Sequence, residues 1–458
     1  MMEGDKKPNA AAIALAEGSQ AWTAGKTDQA AAAFATSALL APGVPLGHVN
    51  LGVALRRQGH VAAAVISHRR ALALAPDDAV AHSNLGNALR ELGQLAEAED
   101  HLRWAARTQP DNLSFRYNLA LLLRDRRKHG EARAMMAELV EAQPDNGDYA
   151  WDLALADLYL SDYQRGFAGY EARWRLARSP KRAFATPQVL PGQDLRGKTV
   201  LVAAEQGFGD ALQFARFLPV LAERCGLLVV ECLPELQSLF AAIPGIAQVF
   251  VKGAQPPAHD CWIPIMSLAH WLEVDPASLP GPVPYLTPPR ALARPLGHPP
   301  GSVLNVGLIW AGKTVPRDRS WPLERLLPLM EDPRMAFWSL QMGERSSDLK
   351  TTGIGTLVRD LSPAITSFAD TAALMNGLDM VVTIDTSAAH LAGALGKPTW
   401  MLLRYVSDWR WQDQGDTCLW YPTMRLFRQP DPDDFDTPVA QMKIMLTQAA
   451  DKMSAAKV

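Results

Sequence analysis

Two patterns of apolar and polar positions divide the chain. Up to about residue 178, a polar residue, a leucine and a small residue recur together. They stand at Asn50-Leu51-Gly52, Asn84-Leu85-Gly86, Asn118-Leu119-Ala120 and Asp152-Leu153-Ala154, each set 34 residues after the last. Ala64, Ala98, Ala132 and Gly166 keep the same period, as do Pro42, Pro76, Pro110 and Pro144, while Gly25, Gly59 and Gly93 mark turns. From about residue 197 the pattern changes. Short apolar, partly β-branched runs at 199–204, 227–232, 248–251, 303–310, 336–340, 380–384 and 398–403 read as strands. Stretches between them, such as 211–224, read as helices. That alternation implies parallel sheets covered by helices. A Pro- and Gly-rich break at 276–300 separates two lobes.

A 34-residue helix–turn–helix period is that of the tetratricopeptide repeat. The small residues let paired helices approach closely, and the proline ends the second helix. Gly18, Gly25, Ala30 and Pro42 extend the series backwards, giving about five repeats over residues 9–178. The last unit departs from the pattern at Tyr170-Glu171-Ala172-Arg173-Trp174 and is expected to cap the stack and dock on the next domain. Residues 179–196, with Pro180, Pro187, Pro191 and Gly192, read as a linker. Residues 197–290 and 303–447 read as an N-terminal and a C-terminal Rossmann-like lobe. The fold expected is thus an all-α solenoid followed by an α/β module whose ligand cleft lies between the strand carboxyl ends of its two lobes.

Charge narrows the partners. The chain holds 45 Lys and Arg against 48 Asp and Glu, without a long basic run, so nucleic acid is not an expected principal partner. Cys225, Cys232, Cys261 and Cys418 form no CxxC pair and stand beside no histidine cluster, so neither a metal site nor a disulfide framework is expected. The first residues are charged and lack a long apolar core, and no apolar stretch approaches a membrane span. A cytoplasmic location is expected.

Candidate chemistry lies at the strand ends. Gly207-x-Gly209 after the first strand lacks the third glycine of a dinucleotide site, since Leu212 stands there. These glycines and Gln206 are expected instead to allow close backbone approach at the cleft. Asp210 opens the next helix, where it either caps the helix or serves as a general base toward an acceptor hydroxyl. A strand ending at Asp385 and a helix beginning near Thr386 offer free N–H groups and the hydroxyls of Thr386 and Ser387 to an anion such as a diphosphate. His390, one turn along, is either a site residue or a hydrogen-bonded helix histidine. Lys313 and Arg319 are candidate phosphate ligands, with a solvated basic loop as the alternative. Gln341, past the next strand, is a candidate for a nucleobase or ribose. Arg410 belongs to Asp408-Trp409-Arg410-Trp411, which either frames the cleft or is core.

At these residues the catalytic half resembles a family. Glu205-Gln206-Gly207-Phe208-Gly209-Asp210, Val306-Gly307-Leu308-Ile309-Trp310-Ala311-Gly312, Asp385-Thr386-Ser387-Ala388-Ala389-His390 and the tail from Trp409 to Gln429 are similar to bacterial glycosyltransferases related to the lipopolysaccharide heptosyltransferases. The whole chain looks like their tetratricopeptide-repeat-fused branch, which includes flagellin glycosyltransferases. The resemblance implies a GT-B fold, metal-independent transfer with no cofactor beyond the nucleotide-sugar co-substrate, Asp210 as base, and donor phosphates at Asp385 to His390. Many relatives carry Asn where Lys313 stands. The repeats also resemble those of protein O-GlcNAc transferase, whose asparagine ladder holds an extended polypeptide. That resemblance points to Asn50, Asn84, Asn118 and Asp152 as acceptor-binding rungs, against the alternative that they satisfy groups within the repeats.

The leading expectation is therefore sugar transfer from a nucleotide donor to a protein Ser or Thr hydroxyl, with flagellin as one acceptor. A glycan or lipid-linked acceptor is the second reading. A non-enzymatic repeat scaffold with a sugar-nucleotide-binding module is the third. The donor base, the stereochemical outcome and any homo-oligomer formed through the repeats stay open.

Overall fold

The computed structural model describes residues 9–179, 184–205, 207–292, 296–314 and 318–456. The chain divides into two compact units, Met1–Ala156 and Asp157–Val458.

The first unit is built from helical pairs: α1 (Ala10–Thr23) with α2 (Thr27–Leu40), α3 (Pro45–Arg57) with α4 (Val61–Leu74), α5 (Ala79–Glu91) with α6 (Leu95–Thr108), and α7 (Leu113–Asp125) with α8 (His129–Ala142). α9 (Gly147–Tyr159) continues the period and runs across the unit boundary, and α10 (Tyr163–Tyr170) lies in the second unit. The helices start where the side chains dictate. Asn9, Asp78, Asn112 and Asn146 accept bonds from first-turn amides that have no partner within the helix. Gly25, Gly59 and Gly93 take left-handed backbone in the turns within pairs. Arg127 and Ser161 hold that same position with φ of 60° and 62°, so the turn recurs where no glycine announces it. Ala64 and Ala98 are fully buried, as close helix approach requires.

One register of this array is anomalous. Phe34, His68, Leu102 and Met136 are buried at equivalent positions of the second helices. Each of the first three faces a glycine, and a Cβ at Gly52 would fall 2.4 Å from the His68 ring, as one at Gly86 would fall 2.5 Å from Leu102. Neither ring nitrogen of His68 has a hydrogen-bond partner. Burial, with Arg56 adding to it, holds the imidazole down at about 4. A depressed folded value means stability present above the ordinary 6.5 and lost as pH falls from 6.5 toward 4, on the order of 3 kcal/mol in full. His68→Leu copies the next repeat's packing. It is expected to stabilise the array by about 1–3 kcal/mol at neutral pH and to remove that acid loss, measured by urea unfolding at pH 7.5 and 5.

The second unit carries two parallel sheets. One has the order β3-β2-β1-β4, from β1 (Thr199–Ala203), β2 (Leu227–Cys232), β3 (Ile246–Val251) and β4 (Cys261–Pro264). The other has the order β10-β9-β8-β5-β6-β7, from β5 (Leu304–Leu308), β6 (Met335–Ser339), β7 (Val358–Asp360), β8 (Met380–Ile384), β9 (Thr399–Leu403) and β10 (Met424–Arg428). In each sheet the chain order reverses beside the first strand, β1 or β5, which is where parallel sheets open a crevice. Helices α11 (Phe208–Phe214), α12 (Phe368–Asn376), α13 (Ser387–Ala394) and α14 (Asp436–Ala456) serve the site and the second core.

The structure departs from the sequence pattern in five places. β4, β7 and β10 are strands that the apolar runs did not announce. The helix expected over 211–224 breaks after Phe214 into a 3₁₀ turn and a short helix at Leu218–Ala222, with Pro219 lacking the N–H to continue a ladder. The linker is partly structured, because Gln188 bridges to Trp262 and Val189 donates to the Trp262 carbonyl. The second lobe extends past residue 447, since Ala450 on α14 is buried in its core. The fifth helical pair is divided by the unit boundary instead of closing the first unit at 178.

Within the second unit, α10 packs against the α/β region. Tyr163 and Phe167 of α10 pack with Phe214, Trp409 and Trp420, and the Trp420 indole donates to the Tyr163 hydroxyl at 3.0 Å. Beyond α10, Arg173 inserts into the first lobe. Its guanidinium grips Glu205 at 2.8 and 3.2 Å and reaches Ser267, Glu171 and the Tyr170 carbonyl.

Candidate functional site

A cleft of about 590 Å³ lies in the second unit beyond the carboxyl ends of β1, β5 and β8. Asp210, Lys313, Arg319, Gln341, Asp385, Thr386, Ser387, His390, Gly207, Gly209 and Arg410 all line it. Gln206 lies outside the described residues.

Local geometry explains each placement. β1 delivers the chain to a loop secured by the Glu231 carboxylate, which accepts the Ala204 amide at 3.1 Å. α11 then starts at Phe208. Asp210 is the third residue of the helix, so it is not the cap itself: one carboxylate oxygen accepts the Gly207 amide at 3.3 Å and the other accepts Arg410 at 2.7 Å. A Cβ at Gly209 would approach His390 to 3.0 Å and the Ser387 Cα to 3.7 Å, so the glycine lets the first turns of α11 and α13 meet. Beside it, α13 begins after Thr386. No side chain caps it, and its first residues, Thr386, Ser387 and Ala388, line the cleft.

Electrostatics is tightly paired. Burial pushes the Asp210 carboxyl up, with Arg410 as the main opposing charge. Burial likewise raises Asp385, against which Arg319 sits at 3.0 Å. Arg410 is itself buried between Asp210 and Asp408, with its guanidinium 4.4 Å from the Trp409 ring, and Gln213 accepts from its Nε. Lys313 is exposed and makes no ion pair among the described residues. His390 is pushed far below its ordinary value by burial, then by Arg410 and Arg319, so it is a neutral imidazole. Its Nδ1 lies 2.9 Å from the Tyr421 hydroxyl and its ring leans on Trp411.

Some roles change. The Gln341 carbonyl oxygen accepts the Trp310 and Ala311 amides, and its nitrogen donates to the Ala311 and Met342 carbonyls. The amide is committed to shaping the loop after β5, which leaves it no free donor or acceptor for the expected nucleobase or ribose contact. Trp409 and Trp411 are core, while Arg410 between them reaches the cleft. Asn118 donates to Ser83, and Asp152 accepts Tyr117 and Arg124. Asn118 and Asp152 are thus engaged within the repeats. Asn50 and Asn84 are half-buried and make no side-chain hydrogen bond among the described residues. Sequence reasoning missed Ile365, Phe368 and Thr371 on the cleft wall. The signal was the Ser367-x-x-Asp370 capping box that starts α12.

Among the described residues, no group of His, Cys, Asp or Glu is placed to hold a metal ion. No helix of the described residues is long and apolar enough to cross a membrane.

Comparison with known proteins bears on the helical array. The tetratricopeptide-repeat model matches residues 15–79 and 83–147. These helices are tetratricopeptide repeats. A tetratricopeptide array is a protein-interaction scaffold. Among curated proteins, the chain is 28% identical over 304 residues to Protein FlbA of Caulobacter vibrioides, covering 59% of this chain and 50% of that protein. The chain thus spans about half the length of that relative. Among solved structures, MamA from Desulfovibrio magneticus RS-1 is 18% identical, covers 36% of this chain and 92% of its own, and has a TM-score of 0.32. YrrB, described as a TPR protein with an unusual peptide-binding site, is 16% identical, covers 36% and 84%, and has a TM-score of 0.31.

Proposed function

We propose that the second unit is a metal-independent GT-B glycosyltransferase of the heptosyltransferase-related kind, moving a sugar from a nucleotide donor to a protein Ser or Thr hydroxyl recruited by the repeats. One observation carries this reading. A carboxylate that can take a proton, Asp210, shares a single cleft with an uncapped helix start, Lys313 and Arg319, groups suited to a diphosphate. In the reaction, the acceptor oxygen bonds to the anomeric carbon while the bond from that carbon to the diphosphate oxygen breaks. The hydroxyl proton passes to Asp210, and the departing charge is met by the α13 amides, Lys313 and Arg319. Asn50 and Asn84 offer the acceptor backbone a donor and an acceptor each. The acceptor this reading calls for carries an exposed Ser or Thr hydroxyl on an extended segment, and flagellin is the candidate to test.

The test is a thermal-shift panel of UDP, GDP, ADP, CMP and their sugar conjugates. One nucleotide is expected to stabilise the protein, by about 2.7 kcal/mol at a hundredfold excess over Kd. Lys313→Ala should weaken that binding by about 1.5–3 kcal/mol, the range for a charged hydrogen bond. Failure of every nucleotide to bind, together with no nucleotide release from any conjugate, would leave the scaffold reading in its place.

A further inference from the structure

Arg410 meets the reactive carboxylate from a segment that is itself held from the far side. The Tyr159 hydroxyl, at the end of α9, donates to the Ser407 carbonyl at 2.7 Å. The Gln412 amide donates to the Ser161 hydroxyl at 2.7 Å, and the Ser407 hydroxyl closes the segment on the Gln412 carbonyl. Ser161 and Gln412 both take positive φ, 62° and 56°, a backbone region that non-glycine residues hold only when their surroundings enforce it. Tyr163 and Phe167 meet Trp409 edge to face, while the Arg410 guanidinium stacks over the same indole. The segment 407–412 is thereby clamped between the last helical hairpin and the cleft.

We infer that the α9–α10 turn is a positioning device for the reactive pair: Tyr159, Ser161 and Tyr163 hold segment 407–412, and through it hold Arg410 at Asp210. The inference rests on the reading of Asp210 as base. None of the three turn residues lines the cleft, so they act through Arg410 and are positioning residues. The charged groups facing Asp210 are Arg410 and Asp408 on this segment and Arg319 on the loop after β5, while neutral His390 on α13 lies against Gly209. Arg410 is the strongest of these on Asp210. Loosening the clamp therefore removes the main counter-charge and makes the carboxylate harder to ionise.

The experiment titrates Asp210 directly in the full chain labelled with ¹³Cγ-aspartate, its signal assigned by Asp210→Asn. Wild type is compared with Tyr159→Phe, Ser161→Ala and the double variant. Asp210 is expected to titrate about one unit higher in the double variant. The acid limb of nucleotide release should move up by the same amount. Ser161→Asn, which tolerates left-handed backbone and still offers an acceptor oxygen, should restore both values. Asp210 titrating at the wild-type pH in every folded variant overturns the inference, and Tyr159→Phe, which loses only a hydroxyl, keeps a folded variant available. An Asp210 shift without nucleotide release from the wild type would uphold the positioning role while defeating the proposed reaction.

Discussion

Asp210→Asn is expected to lower nucleotide-coupled sugar transfer by about 10²–10⁴-fold, the range for removing a general base. The substitution keeps the size of the side chain. Its amide still offers an oxygen to the Gly207 N–H, so the start of α11 should persist. What disappears is the ability to take the acceptor's proton. Donor binding should change little, because the groups offered to the diphosphate are carried by other elements, Lys313 and Arg319 after β5 and the start of α13. The measurement is single-turnover transfer with saturating donor, beside a binding curve for the nucleotide. Unchanged transfer would remove Asp210 from the mechanism and favour its role as a helix-start residue paired with Arg410.

The second large effect is structural. Arg173→Met should destabilise the second unit by about 3–5 kcal/mol, because it leaves Glu205 buried without its cation. Side-chain exposure is 3% for Arg173 and 6% for Glu205, so water cannot replace the lost partner. The guanidinium also stacks 4.5 Å from Trp174 and holds Ser267 at 2.7 Å. Burial already pushes the Glu205 carboxyl up, with Arg173 the largest opposing influence. In the variant the folded value climbs further. A raised folded value stabilises below the unfolded value and is lost as pH rises, so the variant's deficit should narrow from pH 8 toward pH 5. Urea unfolding at both pH values measures it. Arg173→Lys should fall between, keeping the charge and losing the two-pronged grip. An equal deficit at both pH values would place the cost in packing alone.

The two predictions differ in how legible their residues were. Asp210 stands after an apolar strand and a glycine pair, so its place at a strand's carboxyl end could be read along the chain. Arg173 and Glu205 are 32 residues apart in segments read as a cap and a loop, and nothing along the chain pairs them. His68 is intermediate. The 34-residue period locates it in a buried register, and only the packing against Gly52 shows that its ring nitrogens lack partners.

The repeat array was determined by sequence because its contacts are local: period, turn glycines, prolines and caps all act within one or two units. The two lobes were readable for a similar reason, since strand and helix patterns are short-range. Edge strands such as β7 and β10 escaped because short pairing segments carry little pattern of their own. What only the tertiary structure decided is commitment. Gln341 looked like a ligand contact and is used up by four backbone groups. Asp152 looked like a rung and is taken by Tyr117 and Arg124. Arg410 sits 200 residues from Asp210 and grips it through a loop buttressed by the α9–α10 turn. A polar side chain's chemistry depends on which partners the fold brings to it, and those partners are long-range.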